Sequence, residues 1–321
     1  MSTELFSDPE QMRAPWGNVD QPSKESLLLT PESKVAAARR IRILHPAYNN
    51  AVAFVQRTFD KFGRFDDPGG GRIIADSGGG KSAVVQHMIE KYPKIDTPDR
   101  LIIPVLAISV KTSPRIGSIL DSILEQCSFH LPNSKLRSNE DLKIPAKIDS
   151  VVEAFARCHV RLLMVDEFSH VGERKQGTMS KEITDTMKLI YSATKVGQIY
   201  LGEANAELPF EQNPQLATRL PGKLSLHLFD YDAEFLGVLQ SFDEQLPMQH
   251  QAGLAAPDLS FSLHMASGGQ MRTLVKILAE AVYLASCDKK NQVTVLHLKQ
   301  AHDWIKGDDP RQHNPFSGLG K

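Results

Sequence analysis

A glycine-rich segment at residues 75–82, with the sequence ADSGGGKS, constrains the fold of this chain more than any other feature. It follows a short predicted strand and opens a predicted helix, which is the setting that a phosphate-binding loop requires. Glycines let successive backbone N–H groups turn toward one anion, and the helix N-terminus adds a partial positive charge. The pattern departs from G-x-x-x-x-G-K-[ST] at Ala75, which stands in place of the first glycine. We predict phosphate contacts from Asp76, Ser77, Gly78, Gly79, Gly80, Lys81, Ser82 and Ala83.

A second feature is an apolar run at residues 160–165 that ends in two carboxylates, Asp166 and Glu167. In a parallel sheet the carboxyl ends of the strands face the ligand crevice. Asp166 and the Ser82 hydroxyl can therefore hold Mg²⁺, and Glu167 can deprotonate an attacking water. Lys81 can reach the β- and γ-phosphates of a nucleotide. Taken singly, the two motifs also fit a glycine-rich turn and an exposed acidic loop. Together and in this order they favour ATP hydrolysis, since the sequence has no N-K-x-D guanine motif.

Predicted strands alternate with predicted helices through the first two thirds of the chain, which is typical of a parallel sheet with helices on both faces. We expect strands at residues 72–75, 101–110, 160–165, 198–201 and 224–229. The intervening helices are expected at residues 81–92, 116–127, 148–158 and 181–194, and four more at 233–246, 258–266, 270–286 and 294–305. The predicted fold class is α/β, with a five-stranded parallel sheet flanked by helices and a smaller C-terminal helical lid. Its domains are a flexible arm (1–29), a nucleotide-binding domain (30–230), the lid (231–306) and a flexible tail (307–321).

Composition excludes several classes of protein. The chain has 37 Lys and Arg against 38 Asp and Glu, so any basic surface for nucleic acid must be local. Its three cysteines form no C-x-x-C pair, which argues against a disulfide framework or a structural zinc site. The N-terminus is polar, and no apolar run reaches the length of about 18 residues that a membrane span needs. We expect a cytoplasmic protein with no membrane contact.

Polar residues after the strand at 198–201 and two arginines extend the candidate site. Glu203 or Asn205 could sense the γ-phosphate from a neighbouring strand, although an ordinary loop is equally consistent with these residues. Arg219 and Arg272 could meet phosphate, Arg272 from the lid and Arg219 from a neighbouring subunit. An arginine placed in this way contributes on the order of 10³–10⁵ in rate. A surface position is the alternative for either arginine.

These motifs resemble the AAA+ ATPases, and more narrowly the transposition regulators called TniB and TnsC. The generic part is the phosphate loop with the Asp-Glu strand. The more specific part consists of the segments at 215–220 (QLATRL) and 267–272 (SGGQMR). Leu201-Gly202 and the segment at 244–247 (EQLP) also match the family. The resemblance spans roughly residues 45–305, and it departs from the family at Ala75, at Glu203 where Thr is usual, and at Leu220 where Phe is common.

The resemblance implies an ATP- and Mg²⁺-dependent homo-oligomer, a ring or a helical filament, that assembles on double-stranded DNA. It would link a target selector, TniQ-like or a CRISPR effector, to a DDE transposase. Catalysis would use Lys81, Glu167, a sensor at Glu203 or Asn205, and the arginines Arg219 and Arg272. His45 and Pro46 would contact the nucleotide together with the glycine-rich loop. The family's DNA contacts map onto Lys111, Thr112, Arg115, Lys135 and Arg137, although a solvated loop is equally consistent with these residues.

Two other functions remain open from the sequence. One is a nucleotide-gated scaffold with negligible hydrolysis, which Ala75 and Glu203 motivate. The other is a different AAA+ remodeller, such as a helicase loader. In the polar tail, Phe316 is a single apolar anchor that could dock on a partner, and a disordered end is the alternative.

Overall fold

The computed structural model describes residues 30–98, 100–128, 143–172, 177–307 and 313–319. The chain divides into two compact units. The α/β unit comprises Ala47–His227, and the helical unit comprises Met1–Pro46 together with Leu228–Lys321. Residues 30–46 thus group with the helical unit, whereas the sequence assigns them to the nucleotide-binding domain. The predicted arm at residues 1–29 lies outside the described residues.

Helices and strands alternate in the α/β unit, and helices alone make up the described secondary structure of the helical unit. The strands are β1 (Gly70–Ala75), β2 (Ile95–Asp96), β3 (Leu101–Ile102), β4 (Val105–Ser109), β5 (Leu162–Asp166), β6 (Gly197–Gly202) and β7 (Gly222–Leu226). The α-helices are α1 (Pro31–Arg40), α2 (Pro46–Lys61), α3 (Lys81–Lys91), α4 (Ile116–Ser128), α5 (Ile144–Arg157), α6 (Ser169–Gly172), α7 (Gly177–Thr194), α8 (Leu208–Gln212), α9 (Pro214–Arg219), α10 (Ala233–Gln245), α11 (Pro257–Ser267), α12 (Met271–Cys287) and α13 (Val295–Lys306). A 3₁₀ helix at Ala204–Glu207 follows β6.

The centre of the α/β unit is a five-stranded parallel sheet in the order β4-β5-β6-β1-β7. Strands β5 and β6 are almost entirely buried, because helices cover both faces of the sheet. All five strands run in one direction, so the residues that follow β1, β5 and β6 meet at one edge. The register places Ile74 beside Gly202 and Val165 beside Tyr200. The predicted five-stranded parallel sheet is confirmed, and its carboxyl edge gathers the glycine-rich loop and the acidic pair.

One predicted strand is wrong in its extent. The run at 101–110 is interrupted at Pro104, which has no backbone N–H to donate to a strand ladder. β3 pairs antiparallel with β2, and only β4 joins the main sheet. The Pro104 carbonyl instead accepts hydrogen bonds from the N–H groups of Arg161 and Leu162, at 3.0 and 3.2 Å. This arrangement sets the start of β5 against the start of β4.

The helical unit has its own apolar core. Thr30 caps α1, because its Oγ1 accepts a hydrogen bond from Ser33 N at 3.3 Å. α1 packs on α12, and α12 also packs on α11 and α13. The core residues include Phe235, Leu239, Leu263, Leu274, Ile277 and Leu298. None of the helices that the structure describes is long and apolar enough to cross a membrane.

The C-terminal residues 313–319 pack on this core, whereas the sequence predicts a flexible tail in which Phe316 could dock on a partner. Phe316 is only 1% exposed, and its ring lies 6.2 Å from that of His302. Asn314 Nδ2 donates to Asp303 Oδ1 at 2.7 Å and fixes the segment on α13. A single phenylalanine in polar sequence has no periodicity, so its burial depends on a groove that only the folded unit provides. Phe316 is therefore committed to its own chain.

Truncating Phe316 tests this packing. We expect Phe316→Ala to lower the free energy of unfolding by about 3–5 kcal/mol, because a fully buried ring leaves a cavity. Trp304→Ala is the matched control, since Trp304 is 78% exposed on α13. Its expected effect is within about 0.5 kcal/mol. Denaturant unfolding of both variants measures the difference, and equal stabilities would show that Phe316 is not packed in the core.

Candidate functional site

The glycine-rich loop joins β1 directly to α3. Gly78 and Gly80 have φ angles of +82° and +98°, which side-chain-bearing residues rarely adopt. Gly79 N donates to Asp76 O at 3.0 Å and closes the turn. Gly80 is the N-cap of α3 and has no side chain with which to cap the helix. The N-terminus of α3 thus opens directly from the loop, where the helix dipole favours an anion.

Lys81, the first residue of α3, places its ammonium group inside the loop. The residue is only 7% exposed, and Nζ donates to Ala75 O at 2.5 Å and to Asp76 O at 3.1 Å. A buried ammonium at a helix N-terminus forms a strongly anion-binding environment. Tyr48 of α2 steadies the helix start, because its hydroxyl donates to Ala83 O at 3.3 Å. This donor set fits a triphosphate.

Ala75 limits what residue 79 can be. A Cβ atom on Gly79 would lie 3.3 Å from Ala75 Cβ and 3.1 Å from Asp76 O, closer than ordinary side-chain contacts. The Ala75 methyl group, which replaces the first glycine of the motif, therefore lies close to where a side chain at position 79 would be. A glycine at position 79 leaves room for it.

Gly79→Ala is expected to weaken ATP binding about ten-fold, because the loop must move to admit the new methyl group, and ten-fold in affinity corresponds to about 1.4 kcal/mol. Gly117→Ala is the control, since a Cβ there would meet Ile144 Cδ1 at an ordinary 3.6 Å. Titration with a fluorescent ATP analogue measures both affinities. The Ala75→Gly background should restore part of the loss, and an unaltered affinity for Gly79→Ala would contradict the steric argument.

The acidic pair lies at the end of β5, on the same sheet edge. Ser82 Oγ donates to Asp166 Oδ2 at 3.4 Å, so the structure brings the two predicted metal ligands together. Asp166 Oδ1 accepts a hydrogen bond from Glu167 N at 2.8 Å. Glu167 has a φ of +56°, an uncommon backbone conformation for a non-glycine residue that occurs preferentially at functional sites. The strand end therefore places the Asp166 carboxylate against Ser82 and holds Glu167 in an uncommon backbone conformation.

A carboxylate and a hydroxyl suit Mg²⁺, which is usually bound by one or two protein oxygens together with phosphate and water. Among the residues that the structure describes, no three His, Cys, Asp or Glu side chains gather into a group that could hold a metal by themselves. Ser82 and Asp166 would thus hold the cation jointly with a nucleotide. The cation would supply charge neutralisation to the phosphates.

The predicted sensor residues lie at the end of β6, between the two motif strands. Glu203 and Asn205 are both exposed. Glu203 N donates to Ser169 Oγ at 2.6 Å, and Ser169 is 3% exposed. Sequence reasoning missed Ser169. The available signal was Gly202, because a glycine inside a strand pattern indicates a close approach, and a Cβ there would lie 2.6 Å from Ser169 Oγ.

The two arginines lie in different units. Arg219 ends α9 and is exposed, and its Nη1 donates to Ser192 Oγ of α7 at 2.8 Å. Arg272 is exposed in the first turn of α12, in the helical unit. Their roles toward a nucleotide stay predictions.

His45 and Pro46 belong to the helical unit, and Pro46 begins α2. His45 Nδ1 lies 3.1 Å from Glu234 Oε1, and its ring meets Phe229 edge-on at 4.8 Å. Burial lowers the pKa of His45 although Glu234 acts in the opposite direction. The contact of His45 and Pro46 with a nucleotide stays a prediction.

The predicted DNA-binding residues lie after β4. Lys111, Thr112 and Arg115 are exposed in the loop between β4 and α4. Lys135 and Arg137 lie outside the described residues. The exposed loop carries two positive charges, which suits contacts with phosphate more than with base edges.

The family profile described as bacterial TniB protein matches residues 43–227, which is more than half of the chain. No curated protein matches. Among solved structures, the chain is similar to the Aeropyrum pernix ORC2 protein in ADPNP–ADP complexes, with a TM-score of 0.59 at 13% identity over 83% of this chain and 71% of that one. It is also similar to CDC6P from Pyrobaculum aerophilum, with a TM-score of 0.58 at 11% identity over 84% and 70%. The Aeropyrum pernix ORC1 protein in complex with DNA gives a TM-score of 0.54 at 15% identity over 82% and 66%.

The structural likeness, at these identities, confirms the fold class, and the profile match identifies the family. Both agree with the loop and acidic pair at the carboxyl edge of the sheet. The chain therefore belongs to the bacterial TniB protein family and is a P-loop ATPase of the AAA+ type.

Proposed function

We propose that this chain is an ATP-dependent regulator of DNA transposition that oligomerises on duplex DNA and links target selection to a transposase. The match of residues 43–227 to the TniB family carries this proposal. The partners would be a TniQ-like target selector and a DDE transposase. A protein that works on ATP and duplex DNA in a bacterium acts in the cytoplasm.

ATP would lie between subunits. One subunit would contribute Lys81 to the phosphates, Ser82 and Asp166 to Mg²⁺, and Glu167 as the base that takes a proton from the attacking water. The distances of 2.5 Å from Lys81 Nζ to the loop and 3.4 Å from Ser82 Oγ to Asp166 Oδ2 support this set. The neighbouring subunit would contribute Arg219, which is exposed on the outside of the α/β unit. Hydrolysis would act as a timer that loosens the assembly.

DNA would be held by Lys111, Thr112 and Arg115 from each subunit. Single contacts of this kind are weak, independent of sequence and sensitive to salt, so they bind firmly only when repeated along the duplex. Oligomerisation supplies the repetition. The solved structures of similar fold include ORC1 of Aeropyrum pernix in complex with DNA and ORC of Drosophila bound to DNA, which supports a DNA-associated role.

Electron microscopy of the protein with plain duplex and a slowly hydrolysed ATP analogue tests the proposal. We expect regular rings or filaments around the duplex that require the analogue and disappear with ADP. Lys111→Ala combined with Arg115→Ala should abolish them at moderate salt. Monomeric protein under all conditions would exclude the proposed assembly and favour a different AAA+ remodeller, such as a helicase loader.

A further inference from the structure

The short helix that follows the acidic pair packs directly on the segment that follows β6. Phe168 N donates to Leu201 O at 2.9 Å, and Glu203 N donates to Ser169 Oγ at 2.6 Å. The two bonds join the residues immediately after Glu167 to the end of β6. The serine hydroxyl is the side-chain part of this connection.

Two glycines make the packing close. A Cβ on Gly202 would lie 2.6 Å from both Ser169 Oγ and Ala206 Cβ, and a Cβ on Gly172 would overlap Asn205 O. The interface between α6 and the 3₁₀ helix therefore has no space for side chains at these positions. A segment packed in this way moves as one piece with α6.

The other side of the same segment is held by β1, the strand that leads into the phosphate-binding loop. Arg72 donates to Glu207 through Nη2 at 2.6 Å and through Nε at 2.8 Å, and its guanidinium lies 4.7 Å from the Phe210 ring centroid. The hydrogen bond from Arg72 lowers the pKa of Glu207. Residues 203–207 are thus attached to β1, which leads into the phosphate-binding loop. They are also attached to Ser169, which follows the acidic pair at the end of β5.

We propose that Ser169 is a positioning residue for ATP hydrolysis, because its hydroxyl fixes the segment carrying Glu203 and Asn205 relative to Glu167. This inference rests on the proposed roles of those three residues. Without the hydroxyl, the Glu203 N–H loses its partner beside a buried helix, and the turn after β6 is free to relax. Ser169 acts through the segment and makes no contact with the reacting atoms.

Ser169→Ala is expected to lower kcat about 5- to 50-fold, the effect of losing one part-buried hydrogen bond to the Glu203 backbone. KM for ATP and the affinity for an ATP analogue should stay within about two-fold, because the phosphate loop itself is unchanged. Ser150→Ala is the matched control, since it also removes a serine hydroxyl that is hydrogen-bonded to the backbone, there as the donor to Ala146 O at 2.9 Å within α5. Its kcat should equal that of the wild type.

A double-mutant cycle separates positioning from general damage. Ser169→Ala is combined with whichever of Glu203→Ala and Asn205→Ala lowers kcat more. The combined variant should be no slower than that single variant, because the side chain that Ser169 positions is already absent. Multiplied losses would overturn the inference, as would a wild-type kcat for Ser169→Ala or for both sensor variants.

Glu207→Gln is a second variant for the case in which Ser169→Ala does not fold, as judged by the absence of a cooperative unfolding transition. It keeps the shape of Glu207 but removes the charge that Arg72 holds, so kcat should fall while analogue binding persists. Unchanged turnover in this variant would overturn the inference. The wild type and Glu167→Gln are measured alongside. An equally active Glu167→Gln enzyme would refute the proposed site, whereas an inactive one with normal Ser169→Ala turnover would refute the Ser169 role alone.

Discussion

Glutamine in place of Glu167 is expected to lower ATP turnover about 10²–10⁴-fold while ATP and duplex DNA still bind, the usual contribution of a positioned general base. Glutamine keeps the size and hydrogen-bonding capacity of the side chain but cannot take a proton. Glu167 lies next to Asp166, which meets Ser82, and its backbone has the uncommon φ of +56°. Phosphate release measures turnover, and titration with an ATP analogue measures binding.

The control for this experiment is Glu153→Gln on α5. Glu153 is exposed and pairs only with Arg157 one helical turn away among its described contacts, at 3.2 Å. Surface pairs of this kind contribute little, so turnover should equal that of the wild type. Turnover of Glu167→Gln within two-fold of the wild type would remove Glu167 as the base.

Alanine at Arg219 is expected to lower turnover about 10³-fold or more, as loss of an arginine that stabilises charge on the transferred phosphoryl group does. The loss should occur only in the oligomer, because the arginine would act on the nucleotide of the neighbouring subunit. The residue is exposed and positioned by Ser192 at 2.8 Å, so its removal leaves the apolar core intact. Analogue binding to the isolated subunit should not change.

Mixing two inactive variants tests the trans arrangement directly. Arg219→Ala subunits keep Glu167, and Glu167→Gln subunits keep Arg219, so a mixed oligomer contains some complete sites. We expect the mixture to be many-fold more active than either variant alone. Arg57→Ala on α2 removes another exposed arginine, and it serves as the control for the loss of an exposed positive charge. A mixture no more active than its components would place Arg219 outside the catalytic site.

The sheet and the two motifs could be predicted from the sequence because buried parallel strands are apolar along their whole length. β5 has this composition up to Asp166, and β6 departs from it at Gln198, so the polar residues at and after the carboxyl ends of these strands are conspicuous. The same criterion failed at Pro104, where a run of equal hydrophobicity contains a residue that cannot donate to the ladder. Its hydrogen-bonding partners, Arg161 and Leu162, are distant in sequence.

Other features depend on tertiary contacts that no local pattern contains. Phe316 is buried only because α11 to α13 form a core that accepts it. In the sequence, Ser169 is an ordinary polar residue shortly after the acidic pair. Its proposed role depends on the hydrogen bond that it accepts from Glu203 N, 34 residues later. The helix α9 did have a local signal, since Asn213 Oδ1 accepts from Leu216 N and Pro214 follows the cap, a combination typical of a helix start.

In the proposed function, the nucleotide held at this sheet edge controls DNA binding. Fluorescence anisotropy of a labelled duplex, titrated with the same protein preparation in a slowly hydrolysed ATP analogue and in ADP, tests it most directly. The expected result is binding about 5- to 150-fold tighter with the analogue, the usual range of coupling between two sites. Equal affinities in the two nucleotides would contradict the claim.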